Sequence, residues 1–66
     1  MSDPRRFVHD MKNYLGIIIG YSSLLLEELP PEDPRRGDID EIRRASESAI
    51  ALVEEWRVAN PGDPGE

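Results

Sequence analysis

The sequence has no cysteine, a single histidine, and only one tryptophan and one phenylalanine. Without cysteine there is no disulfide framework, and one histidine without Cys partners gives no ligand set for a structural zinc. No apolar run reaches the ~20 residues that a membrane span needs; the longest, Leu15 to Leu26, is interrupted by Ser22 and Ser23. An excess of basic charge is also missing. The formal net charge is -6, and Arg35, Arg36, Arg43 and Arg44 are interleaved with acids, so nucleic acid is not an expected partner. Nor is there a glycine-rich loop that could cradle a nucleotide phosphate. The opening Met-Ser-Asp-Pro-Arg-Arg-Phe passes into charged helix rather than into an apolar signal region. The expected location is therefore the cytoplasm, including the cytoplasmic part of a membrane-anchored sensor, with no membrane contact by this segment.

Length sets a further limit. A lone domain of 66 residues buries only ~60% of its unfolded surface, and chains this small need a supplement to their core. With disulfides and metal excluded, oligomerisation remains.

The punctuation of the chain marks two helices. Asp3-Pro4 pairs an N-cap with proline at the first helical position, and Pro30-Pro31 closes the segment, giving helix 1 over about 4 to 29. Asp33-Pro34 repeats the start signal and opens helix 2, over about 34 to 59, before Asn60-Pro61-Gly62 ends it. Gly37-Asp38 is a rival start. Two rods of nearly equal length joined by a short loop predict an antiparallel hairpin, so residues 1–59 are expected to form one domain. Residues 60–66, rich in Pro and Gly, are expected to be a disordered tail or linker.

Val8, Met11, Leu15, Ile18, Ser22, Leu25 and Leu29 step by alternating threes and fours, the heptad seam of left-handed bundle packing. Ile39, Ile42, Ser46, Ala49, Val53 and Trp56 repeat it in helix 2. Trp56 is thereby expected in the core at the end of the bundle. Ser22 and Ser46 are expected to be small packing residues that return their hydroxyls to the backbone. Charged pairs such as Glu41 and Arg44 belong to a solvated face. Helix 1 also carries Phe7, Tyr14, Ile17, Ile19, Tyr21, Leu24 and Leu26 off its seam, an apolar face too wide for one partner helix. The expected fold is all-α: an antiparallel helical hairpin that forms a homodimeric four-helix bundle. Gly16 and Gly20, each ~1 kcal/mol less favourable than Ala in a helix, are expected to relieve crowding or to let helix 1 flex.

Near the start of helix 1, His9, Asp10 and Asn13 interrupt the apolar pattern. With Val8 in the core, His9 lies ~100° round the helix at the edge of solvent, and Asn13 lies one turn above it on the same face. Lys12 is within a turn of His9. A neutral imidazole is a good nucleophile near neutral pH, a nearby carboxylate can orient it or accept its proton, and an amide at the next turn can position water.

These residues resemble the dimerisation and histidine-phosphotransfer domain of sensor histidine kinases, the phosphoacceptor hairpin of two-component signalling. The resemblance spans about Phe7 to Trp56, with "HDMKNYLGIIIGYSSLLLEE" similar to the family's H-box and "GDIDEIRRASESAIALVEEW" similar to its second helix. Tyr14 stands where the commonest family pattern has proline. That departure matches a His-Asp-x-x-Asn-x-Leu subgroup and speaks against a helix bend there. The resemblance implies that His9 accepts a phosphoryl group, that Asp10 assists as general base, and that Asn13 orients water when the domain supports phosphatase action on its partner.

By the same resemblance, this chain forms a homodimer, is phosphorylated by an ATP-binding kinase domain acting in cis or in trans, and passes the phosphoryl group to an aspartate of a response-regulator receiver domain. Enzymatic activity is expected only as part of such a sensor kinase. The chain itself holds no cofactor; ATP and Mg2+ belong to the separate kinase domain and to the regulator. Two alternatives remain open: a free-standing histidine phosphotransferase of a phosphorelay, and an inert dimerisation hairpin whose histidine is accidental.

Overall fold

The computed structural model describes residues 3–60, which form two helices and no strand. Helix α1 spans Pro4–Glu28 and helix α2 spans Arg35–Ala59, 25 residues each. At ~1.5 Å per residue both rods are roughly 37 Å long. The expectation for residues 61–66 lies outside the described residues.

The helix boundaries follow from local chemistry. Asp3 caps α1 by accepting the Arg5 backbone N–H at 2.9 Å, and Pro4 occupies the first turn, where an amide hydrogen would have no partner. Leu29 ends the helix in extended backbone (φ -79°, ψ 142°), one residue short of the expected boundary. Its own N–H still closes on the Leu25 carbonyl at 2.9 Å. The residue before a proline is driven out of helical backbone, and Leu29 precedes Pro30. Of the two candidate starts for α2, the structure uses the earlier. The Asp33 side chain accepts the Arg35 backbone N–H at 2.9 Å and also receives the Arg35 guanidinium at 2.6 Å. Gly37 lies inside the helix.

The hairpin is antiparallel, because contacts pair opposite ends of the two helices. At one end, the rings of Phe7 and Trp56 meet edge to face with centroids 5.2 Å apart. In the next turn, Lys12 is hydrogen-bonded to Glu54. At the other end, the Arg36 guanidinium donates to the carbonyls of Leu26 and, at 3.0 Å, of Leu29. Arg36 thus satisfies the C-terminal carbonyls of α1, which carry no other basic residue in their last turn.

Between the helices, Val8, Ser22, Ser46 and Val53 are buried. Both serines behave as expected: Ser22 Oγ donates to the Ile18 carbonyl at 2.7 Å and Ser46 Oγ to the Ile42 carbonyl at 2.9 Å. The expected seam holds at Val8, Met11, Leu15, Ser22 and Leu29, but not at Ile18 and Leu25, which are 40% and 43% exposed. Ile19 and Leu26 take the half-buried positions instead. A straight α-helix drifts ~20° per heptad away from a strict seven-residue repeat, and over three heptads the inward line passes to the next residue. Ile42, 50% exposed, also lies off the buried line of α2. Trp56 is 39% exposed and packs on Phe7 at the rim rather than in a core.

Two further expectations are corrected. Arg44 pairs with Asp40 at 2.9 Å, not with Glu41, within a network in which Arg43 holds Asp40 at 2.6 Å and Glu47 at 3.0 Å. The Arg43 guanidinium keeps the Asp40 carboxyl below its ordinary range. A Cβ at Gly16 or Gly20 would meet nothing within 4 Å, so neither glycine relieves crowding within the hairpin. Helix α1 runs through Tyr14 without interruption.

Candidate functional site

The cap at Asp3 and the burial of Val8 together fix where the histidine falls. With Val8 turned between the helices, the next residue is rotated ~100° toward solvent, and the His9 side chain is 81% exposed. Its Nδ1 stands 3.4 Å from Asp10 Oδ1. The other Asp10 oxygen lies 3.7 Å from Nε of Arg6, one turn back on the same helix. Asp10 is therefore held between a guanidinium and the imidazole. If the neutral ring donates its Nδ1 hydrogen to Asp10, the lone pair sits on Nε2, directed away from that carboxylate.

His9 and Asn13 both line an open groove of about 470 Å³, together with Arg5, Val8, Lys12 and Arg57. Asp10 is not a wall of this groove; it touches the ring from the side. Asn13, one turn above His9 on the same face of α1, lines the groove with it. Three cations also border it. Arg5 lies 3.5 Å from the Asp3 carboxylate, while Lys12 and Arg57 share the carboxylate of Glu54. Lys12 binds Glu54 Oε2, and Arg57 Nε donates to Oε1 at 2.9 Å. These hydrogen bonds, first that from Lys12 and then that from Arg57, hold the Glu54 carboxyl below its ordinary range.

Sequence reasoning singled out Lys12 but missed Arg57 and Glu54. The i,i+3 pairing of Glu54 with Arg57 is readable from spacing. That Arg57 lines one groove with His9 and that Glu54 meets Lys12 are not, because both depend on the register between the antiparallel helices.

The arrangement combines an accessible nucleophilic ring, a carboxylate against one of its nitrogens, an amide one turn away, and a cationic surround suited to a tetrahedral oxyanion. Among the described residues, no group of three or more His, Cys, Asp and Glu side chains could hold a metal ion. No described helix is long and apolar enough to cross a membrane. No family model matches the chain, and no curated protein or solved structure matches it.

Proposed function

We propose that this chain is the phosphoacceptor and dimerisation module of a two-component sensor histidine kinase. The observation that carries the proposal is His9: a solvent-exposed imidazole, 3.4 Å from the Asp10 carboxylate, in a groove bordered by Arg5, Lys12 and Arg57. A histidine used for packing is turned inward, and one used for metal binding has further ligands.

In the proposed reaction, the lone pair of His9 Nε2 attacks the γ-phosphorus of ATP held by a separate kinase domain. A phosphorus–nitrogen bond forms as the bond to the leaving ADP oxygen breaks, and Asp10 accepts the Nδ1 hydrogen as charge develops on the ring. Lys12 and Arg57 lie where they can neutralise the transferred group. The phosphoryl group then passes to a receiver aspartate, the P–N bond breaking as the new P–O bond forms, and the proton held by Asp10 returns to Nδ1, which restores the neutral ring. Asn13 is placed to hold a water molecule when the same surface supports dephosphorylation of the regulator.

Dimerisation is part of the proposal. Val8 and Val53 are the buried apolar residues among those described, whereas Phe7, Tyr14, Ile17, Ile18, Leu24 and Leu25 leave a broad apolar face on α1 in solvent. On α2, Ile42, Leu52 and Trp56 continue it, and an apolar groove of about 490 Å³ lies between Phe7 and Leu52. Contiguous exposure on this scale marks an interaction surface. A second copy covers it in the four-helix bundle, leaving both His9 side chains outside.

The test supplies an ATP-binding kinase domain in trans and measures acid-labile, alkali-stable phosphate on the native chain and on His9→Gln. The proposal expects label on the native chain alone. Label that survives in His9→Gln, or none on either chain, overturns it.

A further inference from the structure

Two of the cations that line the groove with His9 are already engaged by one carboxylate. Lys12 comes from α1 and Arg57 from α2, and one carboxylate, Glu54, binds both through its two oxygens. The same carboxylate forms the ion pair with Lys12 that bridges the helices at this end of the hairpin. We propose that Glu54 is the resident counter-anion of two cations that line the groove, and that it occupies Lys12 and Arg57 until a phosphoryl oxyanion displaces it. Filling the groove and keeping the ionic tie between α1 and α2 thereby become competing states. The inference rests on the phosphoacceptor reading for the identity of the displacing group.

The chemistry favours exchange. A phosphoryl group presents three acceptor oxygens and up to two negative charges against the single charge of a carboxylate. The side chains of Lys12, Glu54 and Arg57 are 45%, 32% and 53% exposed, so their ion pairs are solvated and can be traded without leaving a buried charge behind. The Glu54 carboxyl is ionised at neutral pH, as any ordinary carboxylate is, and its lowering by Lys12 and then Arg57 reflects the two bonds a phosphoryl group must displace. Lys12 lies one turn from His9 on the same helix and can turn from Glu54 to the ring substituent by rotation of its own side chain. Arg57 reaches the groove from α2, so a group bound there pulls on both helices. Occupation of the groove by phosphate then costs the hairpin its Lys12–Glu54 bridge, and by linkage, loss of the bridge favours the anion.

The probe is inorganic phosphate, titrated at constant ionic strength into the isotopically labelled chain while the His9 ring, Lys12 and Arg57 resonances are followed. Glu54→Gln should bind phosphate more tightly than the native chain by on the order of fivefold, the scale of one exposed ion pair. Lys12→Gln combined with Glu54→Gln should lose that gain. Equal affinity of the native and Glu54→Gln chains, with helicity retained, overturns the inference. A second measurement needs no variant: the carboxyl carbon of Glu54, titrated with pH in the native chain, should show its pKa rise toward the ordinary range when phosphate is present, and an unchanged midpoint overturns the inference equally. Phosphoramidate labelling of His9 is read alongside. A native chain that takes no label refutes the phosphoacceptor reading, whereas the phosphate affinities decide the role of Glu54 whatever that result.

Discussion

Phe7 in the first turns of α1 and Trp56 in the last turn of α2 meet edge to face, with an interplanar angle of 64° and 5.2 Å between ring centroids. The pair closes the end of the hairpin nearest His9 and stands at the edge of the exposed apolar groove. Because Trp56 is the sole tryptophan, its fluorescence reports on that end directly. Few apolar side chains are buried between the helices, so the fold should depend on association. On dilution through the micromolar range, helicity and the Trp56 signal should fall together, and sedimentation should show a dimer above the transition. The structure also separates two substitutions: Leu15→Asp, between the helices, should abolish helicity at all concentrations, whereas Ile18→Asp, on the outer face, should shift the transition to much higher concentration. A compact monomer that keeps its helicity on dilution would remove the four-helix bundle.

Much of this hairpin is legible in the sequence, because much of it is local. Asp3-Pro4, Pro30-Pro31 and Asp33-Pro34 act within a few residues of themselves, and the helix boundaries follow to within one residue. The outward turn of His9 follows from the inward turn of Val8. Ile18 and Leu25 turn outward because a strict heptad assumes a supercoil that the hairpin does not follow over its length. The neighbours of His9 that come from α2 could not be read at all. Arg57 reaches the groove, and Glu54 reaches Lys12, through a register set by the loop, by the Arg36 cap on Leu26 and Leu29, and by the Phe7–Trp56 contact.

Gly16 and Gly20 have open space where a Cβ would stand. In the hairpin, Gly16→Ala or Gly20→Ala should therefore stabilise α1 by up to ~1 kcal/mol each, read as a rise in melting temperature. A fall in stability instead would show that the second copy packs against these positions in the dimer.

Acid should loosen the hairpin in two steps of known sign. The Glu54 carboxyl is held below the ordinary carboxylate range by Lys12 and then Arg57, which makes the first step; in the second, Asp33 is pushed to about 2 by its bonds to Arg35, with Asp40 lowered by Arg43 and Asp3 by the Arg5 backbone N–H. Depressed carboxyl pKa values contribute stability above the unfolded values, and that stability is lost as pH falls through the folded ones. Thermal stability should thus begin to decline below about pH 4.5 and decline further between pH 3.8 and about 2. The Lys12, Arg57 and Arg35 side chains that hold Glu54 and Asp33 are solvated, so each step is small and weakens with salt. Glu54→Gln should remove the first step and leave the second; a profile identical to that of the native chain would contradict the assignment.

Asp10 and Asn13 stand differently to the ring, and their variants should differ accordingly. Asp10 touches Nδ1, whereas Asn13 shares the groove without bonding to the imidazole. Asp10→Asn should slow phosphoryl acceptance by His9 by about 10²-fold or more, the scale of general-base assistance. Asn13→Ala should instead reduce phosphatase stimulation toward the regulator more than it reduces acceptance. Equal losses in both assays for both variants would assign the two residues to docking alone.

The most direct measurement needs no partner protein. Phosphoramidate transfers its phosphoryl group to an accessible imidazole: a new phosphorus–nitrogen bond to the ring forms as the bond to nitrogen in the donor breaks, and the ring proton leaves with ammonia. Phosphorus NMR of the native chain after this treatment should show a phosphohistidine resonance that is lost in acid and stable in alkali, with the shift in the His9 ring signals that marks attachment at Nε2. His9→Gln should remain helical and show none. A native chain in which His9 stays unmodified while free imidazole in the same tube is phosphorylated would contradict the central claim.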